Sequence, residues 1–256
     1  RHVILGRRPF VIKPDNRPGP FPPVENAPIT KESVQKRPES CDILEATPIA
    51  QIKREAHKTQ AETRPLIGNV TVIIVNFKTA ALTKLAVSSL LAKYKVAVIL
   101  IDNGSGDSST GAVRSIGRRK YVNAILNSQN KGHGRALHQA TKLVTTRFFF
   151  TLDSDCEIRQ TGFFEKMLKR MSDDPNLYAL GWRRWVDRGS GVPLEWHIDR
   201  PPKKRFVAYI HPAASLYRTG MYKKLVPFTH HGAPALHNMI EAEKRGFHVA
   251  KFPIFA

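Results

Sequence analysis

Ten residues, Phe148 to Glu157, constrain this chain more than any other stretch. They read Phe-Phe-Phe-Thr-Leu-Asp-Ser-Asp-Cys-Glu. An apolar run of that length, bounded by charge, reads as a strand buried on both faces, as at the centre of a parallel sheet. The strand ends in Asp153 and Asp155, two residues apart. Carboxyl ends of parallel strands are where open α/β sheets bind ligands. Two carboxylates there repel each other unless a cation or a hydrogen-bonding ligand sits between them. Hard oxygen ligands favour Mg2+ or Mn2+, ions that usually arrive with substrate phosphates. Asp-x-Asp is also a common tripeptide, so this reading depends on its surroundings.

Those surroundings alternate between strands and helices. Val70 to Val75 is a β-branched buried strand, followed by a helix with apolar positions Leu82, Leu85, Ala86 and Leu90. Val96 to Ile101 is a second strand, closing on Asp102-Asn103-Gly104-Ser105. A weaker helix with Val113 and Ile116 leads to a third strand, Ala124 to Leu126. Asn130-Lys131-Gly132-His133-Gly134-Arg135 then turns into a helix whose apolar positions are Ala136, Leu137, Ala140, Leu143 and Val144. After the fourth strand, Phe148 to Asp153, a helix is predicted over residues 161–171. Further strands follow at Tyr178 to Trp182 and Phe206 to Ile210, with a loop over 183–205 between them. A last helix with Leu236, Met239 and Ile240 stops before Gly246, and Val249 to Phe252 is strand-like. Such alternation implies a mostly parallel sheet with right-handed crossovers, flanked by helices.

Residues 1–68 differ in texture. They hold ten of the eighteen prolines and read as an extended, Pro-rich arm or linker, with one short helix predicted around residues 49–63. The folded domain is expected over 69–256, split into a nucleotide-binding half (69–172) and an acceptor-side half (173–256). From residue 69 onward there are 29 Lys and Arg against 13 Asp and Glu. The positive balance therefore belongs to the folded part and favours anionic partners: nucleotide phosphates, a lipid surface or nucleic acid. No apolar run approaches the ~20 residues of a membrane-spanning helix, and there is no signal-peptide pattern. The two cysteines, Cys41 and Cys156, suggest no disulfide framework, so a cytoplasmic, reducing location is expected, with peripheral membrane contact as an option. A start at Arg1 without Met is expected of a fragment or processed product.

Asn76, Asp102, Asp153 and Asp155 end three strands on one sheet edge and should converge. Asp102 can accept from a base imide or a ribose hydroxyl, or can simply shape an Asp-Asn-Gly-Ser turn. Lys131 and Arg135, in a glycine-flanked turn at a helix start, make either a phosphate seat or a solvated cationic turn. The spacing matches neither a P-loop nor Gly-x-Gly-x-x-Gly.

Taken in order, residues 70–77, 101–107, 130–137 and 152–155 resemble the nucleotide-binding half of GT-A glycosyltransferases of the family 2 type. The resemblance covers residues 70–172. It implies an α/β GT-A fold and a nucleotide-sugar donor, UDP- or GDP-linked, with Val75, Asn76 and Asp102 near base and ribose. Lys131 and Arg135 would lie near base or phosphates, and Asp153 near the ribose. Asp155, with Asp153, would hold the Mn2+ or Mg2+ that stabilises the leaving diphosphate.

The carboxyl-terminal half departs from the pattern. Where inverting members carry an acidic pair at the start of the last helix, this chain has Pro234 and Ala235. Histidines stand nearby instead, and His211, His231 and His237 are the expected catalytic candidates, as general base or metal ligand. Asp187, Glu195 and Asp199 are alternative bases. Retaining enzymes of the glucosyl-3-phosphoglycerate synthase type are also similar, and they take an extra metal-binding His near the carboxyl terminus. The loop with Trp182, Arg183, Arg184, Trp185, Trp196 and His197 mixes aromatics and cations, suiting sugar rings and an anionic acceptor such as a phosphorylated small molecule, a lipid surface or nucleic acid. A nucleotidyltransferase, a nucleic-acid-binding protein, a DNA-modifying transferase and a degenerate GT-A binding module are the competing readings.

Overall fold

The structure is a computed structural model that describes residues 2–4, 66–194, 205–229 and 232–253. These belong to one compact unit made of residues 1–8 and 63–256. The helix predicted around 49–63 and the rest of the arm through residue 65 lie outside the described residues, as do Glu195 to Lys204, His230 and His231.

The elements in chain order are β1 (His2–Ile4), β2 (Leu66–Asn76), α1 (Ala80–Lys93), β3 (Lys95–Asp102), α2 (Ser108–Ile116), β4 (Val122–Leu126), α3 (His133–Thr141), β5 (Phe148–Asp153) and β6 (Cys156–Ile158). They continue with α4 (Phe163–Asp173), β7 (Leu177–Asp187), β8 (Phe206–Arg218), α5 (Thr219–Tyr222), α6 (Leu236–Lys244) and β9 (His248–Lys251). A seven-stranded sheet has the order β4-β3-β2-β5-β8-β7-β9, and β1 pairs with β6 in a separate two-stranded parallel sheet. Only β8 runs against its neighbours in the large sheet. The predicted mostly parallel α/β sheet with flanking helices is therefore what the chain forms.

Strand β5 lies between β2 and β8, and helices cover both of its faces. Phe148, Phe150 and Leu152 point to the layer of α1, α2 and α4, where Phe150 meets Phe164 edge-on at 5.1 Å between ring centroids. Phe149 points to the opposite layer and stacks on Tyr217 at 4.9 Å. With apolar contacts on both sides, the strand tolerates no alternation of polar residues, which explains its composition. Each buried Phe contributes roughly 1.5–3 kcal/mol, so β5 is fixed in register and depth, and its carboxyl end is fixed with it.

Three predicted details need correction. In α1, Ala86 and Leu90 are buried as predicted, with Thr83 and Val87 completing the buried stripe, whereas Leu85 is 40% exposed. Leu143, expected in the core, is exposed because α3 ends at Thr141 and the chain turns there. The loop expected from residue 183 is instead the continuation of β7 to Asp187, paired with a β8 that runs on to Arg218. His211-Pro212 resembles a strand end because proline cannot donate to a ladder. The chain solves this with a bulge. Between the pairs Gly181↔Ser215 and Arg183↔Ile210, Trp182 alone stands opposite His211, Pro212, Ala213 and Ala214.

Gly181 makes the bulge possible. A Cβ there would lie 2.1 Å from Ser215 Oγ, and that hydroxyl donates to the His211 carbonyl at 2.6 Å. Gly181→Ala is expected to cost about 1–3 kcal/mol by overpacking, measured by urea denaturation.

Candidate active site

The carboxyl ends of β2, β3 and β5 and the β8 bulge enclose a cleft of about 420 Å³. Its lining includes Val75, Phe77, Thr79, Asn103, Asn130, His133, Asp153, Ser154, Asp155, His211, Pro212 and Pro234.

Its floor is organised by residues that are not themselves exposed. Asn76 and Asp102 converge as predicted, but on each other: Asn76 Nδ2 donates to Asp102 Oδ1 at 2.8 Å. Asn76 Oδ1 accepts from Thr83 Oγ1 at 2.8 Å, and Asp102 Oδ2 accepts from Thr110 Oγ1 at 2.6 Å. Both residues are fully buried, and neither lines the cleft. They tie the β2 and β3 ends together beneath it. Asn103 carries this order across to the next loop, donating from Nδ2 to Asn130 Oδ1 at 2.9 Å and accepting from the Lys131 N–H at 3.2 Å. Gly104, at φ +77°, lets these loops touch, since a Cβ there would lie 2.3 Å from the backbone carbon of Gln129.

Lys131 and Arg135 are exposed, and Lys131 Nζ donates to Gln139 Oε1 at 3.3 Å. Neither lines the cleft, and among the described lining residues none is Lys or Arg. Of that turn, Asn130 and His133 reach the cleft, and His133, at the first position of α3, places Nε2 3.6 Å from Asp153 Oδ1. Sequence reasoning passed over it in favour of the neighbouring cations. The available signal was its place at N1, where a side chain leans back toward the strand ends.

Asp153 and Asp155 both line the cleft, at the carboxyl end of β5 and the turn after it. Desolvation, and then the charge of Asp155, push the Asp153 carboxyl up to about 7. Its side chain is 27% exposed, so it is a half-buried acid at the base of an open cleft. Ser154, between the two, exchanges a hydrogen bond with Thr79 Oγ1 at 3.0 Å, pinning the Asp-Ser-Asp turn to the start of α1.

The expected bases divide. His211 lines the cleft; its ring packs against Trp182 at 5.1 Å, and its Nδ1 accepts from the Ala213 N–H at 3.2 Å. His237 is exposed on α6, away from the lining, and His231 lies outside the described residues. Asp187 accepts from the Gly189 and Ser190 N–H groups, each at 3.0 Å, and pairs with Arg205 at 2.8 Å. Those backbone bonds and the guanidinium hold its carboxyl below the usual range, as suits a turn residue and not a proton acceptor. Glu195 and Asp199 are outside the described residues. Pro234, at the position where an acidic residue was expected, lines the cleft and offers no carboxylate.

Among the described residues, no three His, Cys, Asp or Glu side chains gather into a metal-holding cluster. The donor set nevertheless fits a divalent cation that shares its coordination with a ligand. Two adjacent carboxylates meet an open cleft, and one of them is destabilised when ionised. Mg2+ and Mn2+ sites of this kind take one or two carboxylates and complete their shell with phosphates and water.

Residues 71–232 match the family model of glycosyl transferase family 2. The chain belongs to that family. Its fold is similar to that of a mannosyltransferase, PcManGT from Pyrobaculum calidifontis, solved with GDP-Man and Mn2+. The TM-score is 0.57 at 16% identity, covering 79% of this chain and 62% of that one. GalNAc-T7, solved with UDP, GalNAc and Mn2+, gives a TM-score of 0.57 at 14% identity, covering 73% of this chain and 42% of that one. The chain thus spans less than two thirds of the length of either structure. No curated protein matches the sequence. A GT-A glycosyltransferase fold accounts for the sheet order and for a cleft at the carboxyl ends of its parallel strands. Among the described residues, no helix is long and apolar enough to cross a membrane.

Asp153 gives a pH-dependent prediction. Its folded value lies above its ordinary value of 3.8, so ionisation costs stability progressively as pH rises from 3.8 to 7 and fully above that. In the presence of a chelator, Asp153→Asn should melt about 2–4 °C above wild type at pH 8. The difference should shrink toward zero near pH 4, as followed by differential scanning fluorimetry.

Proposed function

We propose that this chain transfers a sugar from a nucleotide-sugar donor, UDP- or GDP-linked, with a divalent cation shared between Asp153, Asp155 and the donor diphosphate. The observation that carries this reading is the charge of the cleft. A strongly basic protein presents two carboxylates and no described Lys or Arg where a ligand would sit. A bare diphosphate would be repelled there, whereas a diphosphate that brings Mn2+ or Mg2+ is complementary to it.

In this reading the cation supplies electrostatic stabilisation of the leaving diphosphate. The residues of the chain do the positioning. Phe77, 40% exposed at the mouth, offers an aromatic face to the base. Asn76 and Asp102 act from below, holding the β2 and β3 loops, and are positioning residues. Thr79 fixes Ser154 and hence the angle between the two carboxylates. His133 stands beside Asp153, its Nε2 3.6 Å from Oδ1. The sugar's anomeric carbon would exchange its bond to the β-phosphate oxygen for one to the acceptor oxygen, the electron pair leaving with the nucleoside diphosphate and the acceptor's hydroxyl proton passing to a base or to the departing diphosphate.

The acceptor is proposed to be anionic. The excess positive charge from residue 69 onward is not spent on the described cleft lining. It is left for a partner that approaches over the outer surface, such as a phosphorylated molecule, a lipid surface or a nucleic acid. On β7, Arg183 lies over Trp185 at 5.2 Å and Arg184 over Trp182 at 5.5 Å, two half-buried cation–aromatic pairs on opposite faces of the strand, either of which suits such a partner.

Screening UDP, GDP and their sugars with and without Mn2+ by thermal shift tests the donor assignment. A nucleotide at 100-fold over its Kd should stabilise wild type by about 2.7 kcal/mol when Mn2+ is present, and Asp155→Ala should lose the Mn2+-dependent part. A wild type that no nucleotide stabilises with Mn2+, or an Asp155→Ala that keeps the full metal dependence, contradicts it.

A further inference from the structure

The β8 bulge sets the tautomer of the histidine it pushes into the cleft. Pro212 follows His211 and has no N–H, so the first backbone donor after the ring is Ala213, whose N–H is turned onto His211 Nδ1 at 3.2 Å. A nitrogen that accepts an N–H bond holds a lone pair. The proton of the neutral ring is then on Nε2. Ser215 Oγ on the His211 carbonyl and the missing Cβ of Gly181 keep the bulge in this form. The nitrogen turned away from the strand is thus a donor, whereas a general base or metal ligand would need a lone pair there.

A second buried donor stands beside it. Tyr209, 2% exposed, packs its ring 6.2 Å from that of His211. The Asp153 charge and the Ala235 backbone act on its hydroxyl, yet no hydrogen bond of normal geometry reaches it within the described structure. Buried hydroxyls without partners are uncommon, because each forfeits the solvation it had in water. On the β8 side, His211 is thus the side chain that lines the cleft with a donor, and the Tyr209 hydroxyl is buried behind it.

We propose that His211 binds the donor substrate as a hydrogen-bond donor, presenting Nε2–H to a phosphate oxygen, and is not the base that deprotonates the acceptor. This rests on the donor reading given under Proposed function. It also removes one of the expected bases, leaving acceptor activation to a group other than His211.

Nitrogen-15 NMR of histidine-labelled protein reads the tautomer without any substrate. An Nε2-protonated, Nδ1-unprotonated ring at pH 7–8 is expected for His211, and an Nδ1-protonated ring overturns the assignment. Calorimetric titration of UDP and of GDP in Mn2+ then tests the contact. His211→Ala should weaken the nucleotide that binds by about tenfold, the scale of one hydrogen bond to a charged group, and His211→Gln, which keeps a donor and cannot act as a base, should stay within about threefold of wild type. A His211→Ala that binds like wild type, or a His211→Gln that falls as far as His211→Ala, overturns the role. Wild type that binds neither nucleotide overturns the donor reading together with this contact, while the NMR result judges the tautomer separately.

Discussion

The end of β5 is the constraint on which the rest of the molecule depends. Two carboxylates are carried at the tip of a strand packed on both faces, so neither can retreat into solvent by shifting the backbone. Burial and the proximity of Asp155 make the ionised form of Asp153 costly, a cost that a cation entering the cleft would offset. The surrounding structure prepares for such a ligand. Ser154 and Thr79 set the turn, Asn76 with Asp102 fastens the two neighbouring strands, and Asn103 carries the order to the loop before α3. Stability is forgone at one point so that binding can recover it there.

The second constraint comes from β8, the single antiparallel strand in the large sheet. Its bulge is a local solution to Pro212, made possible by Gly181, and it delivers His211 to the cleft with one ring nitrogen already committed to the backbone. The same strand buries Tyr209 without satisfying its hydroxyl. The cleft thus has two carboxylates on its β5 side and His211 on its β8 side, with no Lys or Arg among its described lining residues.

Much of this could be read from residue order. The strand–helix alternation from residue 70, and an apolar run that tolerates no polar face, gave the sheet and the position of Asp153 and Asp155. Four short stretches in order gave the family. What escaped depended on three-dimensional details that composition does not encode. Nothing in Asn-Phe-Lys-Thr or Asp-Asn-Gly-Ser says that Asn76 and Asp102 bury each other instead of facing the cleft. Lys131 and Arg135 attracted attention by charge, although His133 between them is the side chain that meets Asp153. The continuation of β8 past His211-Pro212 was hidden because its compensations, Gly181 and Ser215, lie elsewhere in the sequence and have no polarity that marks them.

Anomalous diffraction at the manganese edge, from crystals grown with Mn2+ and UDP or GDP, addresses the central claim most directly. A manganese peak within coordinating distance of the Asp155 carboxylate and of the nucleotide's phosphates is the result predicted here. A nucleotide bound in the cleft with no manganese at Asp153 or Asp155, or a peak at other side chains, would contradict it.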